Sequence, residues 1–339
     1  MATYVRTQEI EHEIGDRGRL ALRVTSPDVE MRAVDSGTAK VRITFEIRAA
    51  SEAEADEILQ RAGFQVSQGA GSLEVVEPRR GQDGIGSLVR LFAGSGRIDT
   101  SVAVEAPRGC DLGYEGVSAD LTASGFRGEQ LYRTVSGDLV LDRTGGDLRV
   151  KGVSSDISLR ADAPLSSLEI NTVSGDVSAV APRVGQLRVV TVSGDIELEA
   201  ALDDGPAHRV ETVSGDLSLG VAGDLSVEVR GISTDVDIRV PHRSEGSRDR
   251  RRYVIGTGGP TLTFSSMSGD VEVRPPRRGA VAPEPPRPPT PPSPPSTPNM
   301  RAVLPDNDEQ LAVLRALERG EIDVDEAARR LAGEPGSDV

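Results

Sequence analysis

Apolar and polar residues alternate in short bursts through the middle of this chain. The bursts read Leu139 and Leu141, Ile157 and Leu159, Ile196 and Leu198, Leu217 and Leu219, Val236 and Ile238. A variable loop follows, then a second alternating segment: Leu148 and Val150, Leu168 and Ile170, Leu187 and Val189, Leu225 and Val227. Successive side chains leave a strand on opposite faces, so period-two alternation over such short stretches predicts half-buried β-strands. Few of these segments are long enough for even two helical turns, which excludes helices there.

Each burst follows one recurring pentapeptide. Thr-Val-Ser-Gly-Asp stands at Thr134–Asp138, Thr172–Asp176, Thr191–Asp195 and Thr212–Asp216. Near copies stand at Gly116–Asp120, Gly152–Asp156, Gly231–Asp235 and Ser266–Asp270. The eight aspartates (Asp120, Asp138, Asp156, Asp176, Asp195, Asp216, Asp235, Asp270) are 18, 18, 20, 19, 21, 19 and 35 residues apart. Self-similarity at this period predicts stacked repeats. Two short strands cannot bury their apolar edges alone, whereas coil on coil closes a continuous core. The fold class is therefore all-β, a repeat β-solenoid of about eight regular coils, some 38 Å long at a rung spacing of roughly 4.8 Å.

Three expectations attach to the motif. Its second residue (Val117, Val135, Val153, Val173, Val192, Val213, Ile232, Met267) is expected to form an inward apolar ladder, so that Val192→Asp would be costly. Its fourth is Gly in five copies but Ala119, Ser155 and Thr234 in the others, which predicts a turn that needs close approach rather than a left-handed residue. The Asp is expected to be a structural turn residue accepting backbone N–H bonds within its own turn, with cation binding as the alternative.

Around the repeats the chain divides by composition. Residues 1–109 read as an irregular opening of the same architecture, with strand patterns at Leu20–Val24, Val29–Met31, Val41–Ile47, Phe64–Val66 and Leu73–Val76. Ser51 with Glu54 makes a capping box that starts a helix ended by Gly63, expected to cover one end of the rod. Leu88–Phe92 lies in a Gly-rich loop and reads as tucked core rather than a sticky patch. Residues 110–274 carry the regular coils. The insertion Pro241–Gly259, with Arg243, Arg248, Arg250, Arg251 and Arg252, reads as a solvated loop tip or an anion site.

Residues 275–300 form a Pro-rich linker: twelve of the 22 prolines fall between 275 and 298. Residues 301–333 predict an αα-hairpin, its helices capped by Asp306 or Asp308 and by Asp323, before a disordered 334–339. Its stripe of Leu311, Leu314, Leu317, Ile322, Val324 and Leu331 is too large for two short helices to cover alone. The hairpin is thus the expected interaction module, with a protein partner or a second copy as its target.

Composition narrows the chemistry. The net charge of −15 argues against nucleic acid. One cysteine, Cys110, excludes an intramolecular disulfide. The first twenty residues lack a signal-peptide pattern and no run is apolar enough to span a bilayer, so the expected location is cytoplasmic, with peripheral envelope association left open. His12, His208 and His242 are scattered, there is no Trp, and no carboxylate pair or metal-ligand cluster stands out. No catalytic residue, cofactor or metal is expected. Gly145-Gly146-Asp147 is one weak echo of a calcium-binding nonapeptide.

The repeated Thr-Val-Ser-Gly-Asp with its apolar-x-apolar tail, over roughly residues 20–274, resembles the bacterial β-strand-repeat family labelled putative adhesin, a domain of unknown function. The tail Leu311–Leu331 is similar to the short C-terminal domain module that often accompanies it. The resemblance implies a non-enzymatic scaffold or binding protein, with a place in the bacterial envelope-stress response. Two alternatives stand beside it: a polymerising bactofilin-like cytoskeletal scaffold, and a polysaccharide-binding or polysaccharide-cleaving β-helix protein.

Overall fold

The computed structural model describes residues 2–78, 98–247 and 250–277. The opening strands are β1 (Ala2–Glu13), β2 (Arg19–Arg23), β3 (Asp28–Val34) and β4 (Thr38–Ala49). Helix α1 (Glu52–Ala62), β5 (Gln65–Gly69) and β6 (Ser72–Val76) follow. The repeats begin with β7 (Ile98–Pro107), β8 (Asp111–Ser118), β9 (Leu121–Ser124) and β10 (Glu129–Ser136). Three long strands come next: β11 (Leu139–Lys151), β12 (Ile157–Asn171) and β13 (Val177–Val190). Then come β14 (Ile196–Leu202), β15 (His208–Glu211), β16 (Leu217–Val221), β17 (Leu225–Ser233) and β18 (Val236–Ile238). Strands β19 (His242–Ser247), β20 (Arg250–Ile255), β21 (Thr261–Ser268) and β22 (Val271–Arg274) close the body.

Pairing stacks these strands into two faces. One runs β5-β6-β2-β8-β10-β11-β12-β13-β15-β21-β17-β20-β19. The other runs β1-β4-β7-β3-β9-β11-β12-β13-β14-β16-β22-β18. The three long strands serve both faces, bending where the register slips near Arg160/Leu165 and Val180/Arg183. Pairing is parallel through the repeats, so like residues stand above like. Tyr114, Tyr132, Val150, Ile170, Val189, Val210, Phe264 and Val229 make one buried column. Leu121, Leu139, Ile157, Val177, Ile196, Leu217 and Val271 make another on the facing side. Burying a Leu or Ile stabilises by about 1.5–3 kcal/mol, so these columns dominate the energetics.

The N-terminal helix forms where its capping box lies. Ser51 Oγ accepts the Glu54 N–H at 3.2 Å, and Glu54 reaches back to the Ala50 N–H at 2.7 Å. It packs on β1 and β4, with Ala55 and Ala62 buried and Arg6 paired to Glu52 and Asp56. Phe64, after the helix, meets Phe45 edge to face with ring centroids 6.2 Å apart.

The C-terminal end departs from sequence order. Strands β21 and β22 insert between β15/β16 and β17/β18, so the rung built last in the chain is next to last in space. The described part of the arginine-rich insertion is mostly strand rather than loop. It is an antiparallel hairpin, β19–β20, that extends the first face beyond β17. Arg251 donates to the Thr234 carbonyl at 2.8 Å and Arg252 to Ser226 Oγ at 3.2 Å. The side chains of Arg248 and Arg250 lie outside the described residues, as do Leu88–Phe92, the Pro-rich segment beyond Arg277 and the residues of the expected C-terminal hairpin.

Candidate functional site

Every motif copy sits where the chain turns from one face to the other, so the copies line up along one corner. Alternation carries through from the incoming strand: Tyr132 points in, Arg133 out, Thr134 in and Val135 out. The expected inward valine ladder is therefore wrong. Val117, Val135, Val153, Val173, Val192 and Val213 are 43–49 % exposed, and Met267 is 57 % exposed. The inward column is Thr134, Thr172, Thr191, Thr212 and Ser266 instead, all buried. Thr134, Thr172 and Thr191 each donate to the carbonyl of the motif serine two residues on, at 3.1 Å. The side chain of Ile232 lies outside the described residues.

The fourth position also needs correction. Gly137, Gly175, Gly194 and Gly215 have φ between +114° and +143°, so these four turns do use the left-handed region that favours glycine. Close approach holds as well: a Cβ on Gly194 would lie 2.2 Å from the Gly175 carbonyl oxygen. Ala119, Ser155 and Thr234 belong to a second turn type without positive φ, and each is buried. All three lie in copies that begin with Gly (Gly116, Gly152, Gly231). One inward side chain fills the corner per rung, from the first position or the fourth. At Gly231 an added Cβ would collide with Thr234 Oγ1.

The aspartates stand exposed in a column beside the valines, and they bond between rungs rather than within their own turns. Asp120 Oδ1 accepts the Asp138 N–H at 2.8 Å, and Asp138 Oδ1 the Asp156 N–H at 3.4 Å. The series continues through Asp156, Asp176 and Asp195 at 2.8–3.0 Å. Asp216 then accepts from Asp270, and Asp270 from Asp235, which repeats the crossed strand order. Among the described residues none of these eight carboxylates has an ion-pair partner, although most charged residues on the flat faces are paired. Beside the C-terminal half of the column lies an open groove of about 870 Å³, lined by Asp176, Asp195, Asp216, Glu197, Arg274 and Arg277 among others. Arg277 pairs with Glu197 at 2.7 Å there.

Two polar features inside the core escaped the pattern reading. Gln130 takes a ladder position otherwise held by Leu112, Leu148, Leu168 and Leu187. Its amide donates to Gly145 O at 2.8 Å and accepts from Tyr132 (3.1 Å) and Thr144 (2.9 Å), tying down the bulge at Gly146. His208 holds a ladder position one rung beyond Leu187, with Nδ1 accepting the Leu187 N–H at 3.3 Å and Nε2 2.8 Å from the Asp203 carbonyl. A parity count would have flagged both as polar residues at inward positions. Burial pushes the Cys110 thiol up to about 12 and raises the Tyr114 and Tyr132 phenols further. Among the described residues no group of three or more His, Cys, Asp or Glu is arranged to hold a metal. Nor is any helix there long and apolar enough to cross a membrane.

The body is thus a mostly β, solenoid-like stack with one helix, whose repeated surface is one ladder-lined corner. The Toastrack DUF4097 family model matches residues 17–274, and the chain belongs to that family. No curated protein matches it. Among solved structures it is similar to a putative adhesin from Bacteroides fragilis, at 11% identity and TM-score 0.32, covering 79% of this chain and 97% of that one. A putative cell adhesion protein from Clostridium sporogenes matches at 8% identity and TM-score 0.22, covering 80% and 99%. A putative lipid binding protein from Parabacteroides distasonis matches at 12% identity and TM-score 0.29, covering 79% and 96%. At such identities and scores these likenesses assign no ligand or activity to this chain.

Proposed function

We propose that this chain is a non-enzymatic scaffold: a stiff β body that carries a tethered C-terminal hairpin as its interaction module. The observation that carries the reading is the aspartate column. Each repeated carboxylate except the terminal Asp235 spends Oδ1 on the backbone of the next rung, which suits a structural role. A body built by repetition, a proline spacer and an apolar hairpin stripe suit a tether between a fixed structure and a protein partner or a second copy. Envelope-stress signalling is the process in which we place it, with the body cytoplasmic or peripheral to the envelope. End-to-end polymerisation is the weaker reading, because α1 lies over strands at one end and β19–β20 extends past the last full rung at the other.

Truncation after Pro276 tests the division of labour. The shortened body should melt within a few degrees of the full chain while losing self-association or partner capture through Leu311, Leu314, Leu317, Ile322 and Leu331. Aggregation or unfolding of the truncated body would make the hairpin part of the fold instead.

A further inference from the structure

The valine ladder has no structural task that burial would explain. Seven exposed apolar side chains stand one per rung along the corner, spanning about 29 Å at the spacing of parallel strands. Scattered exposed valines are ordinary; a continuous row on a body this polar is not. The row is also convex, because it follows the line where the chain turns between faces. One flank is the aspartate column, uncompensated by any ion pair among the described residues. An exposed surface bearing regularly spaced negative charge repels anionic lipid and nucleic acid alike. A second copy laid corner to corner, ladder on ladder, brings aspartate column against aspartate column, on a chain of net charge −15.

We propose that this corner is a docking ridge for a protein partner that presents an apolar groove rimmed by Lys and Arg. The groove floor would take Val153, Val173 and Val192, and its basic rim would neutralise Asp156, Asp176 and Asp195. Arg or Lys placed against such a row adds association rate and register, while the methyl contacts supply the affinity. The ridge belongs to the body and is independent of the C-terminal hairpin, so either could fail without the other.

The test places benzoylphenylalanine at Val153, Val173 or Val192 in the full chain, with Val140, equally exposed on the flat second face, as the control. Irradiation in the cells that make the protein should give one heterologous protein adduct from the three ladder positions and none from Val140. The adduct should vanish in Asp156→Asn/Asp176→Asn. The adduct protein, purified, should bind the full chain at least tenfold more weakly after Val173→Ser/Val192→Ser, while the circular dichroism and melting of that variant stay unchanged. It should also bind more weakly as salt rises. Absence of adducts, adducts of twice the chain mass, adducts to lipid or nucleic acid, or an affinity indifferent to the valine changes would each overturn the proposal.

Discussion

Single residues in the motif divide two jobs that the pentapeptide hides. Asp195 accepts the Asp216 N–H at 3.0 Å from an exposed position, so Asp195→Ala should cost about 1 kcal/mol in urea unfolding. Millimolar calcium should leave the melting temperature almost unchanged; a rise of many degrees would mark the column as a cation site. The first and fourth positions, by contrast, share one interior space. Gly194→Ala alone should cost roughly 2–4 kcal/mol, because it adds a Cβ at φ +121° against a carbonyl. Adding Thr191→Gly should recover part of that loss by converting the copy to the Gly116–Asp120 type, a coupling visible in a double-mutant cycle. Cys110 is buried in the same interior, so the native thiol should resist alkylation at pH 8 and react on unfolding. Its folded value lies above the ordinary 9.0, so the unfolded chain loses that proton first and stability falls as pH rises from 9.0 towards about 12.

At the scale of elements, the strands were legible because burial follows parity, and the helix because Ser51, Glu54 and Gly63 are local signals. The corner defeats hydropathy for a related reason. Thr is inward and small, Val is outward and apolar, and hydropathy alone ranks them the wrong way round; counting parity from Tyr132 gives the observed assignment. The crossed final rungs left only a trace, the 35-residue gap between Asp235 and Asp270. Pairing of β21 with both β15 and β17 is a long-range choice that no local pattern records. It predicts an asymmetric response to shortening. A chain ending at Ile238 removes β21 and β22 from between their neighbours, leaving β16 and β18 without partners on that side. It should therefore unfold or aggregate from Thr212 onward in hydrogen-exchange measurements. Strict coil order predicts only a shorter body.

Across the whole molecule, stability is a sum over rungs and their interfaces, and repeat proteins of this kind change length by gaining or losing units. The crossed rungs limit where that can happen. Between β8 and β16, strands stack in the order in which they are encoded, and a duplicated unit finds its neighbours already in place. Beyond Asp216 a copied unit would meet a slot that β21 and β22 already fill and an end that β19–β20 already overruns. The insertion at the C-terminal end thus acts as a full stop in the gene. Lineages of this protein can lengthen or shorten through the central repeats, while the last 60 or so residues of the body must be inherited as one block.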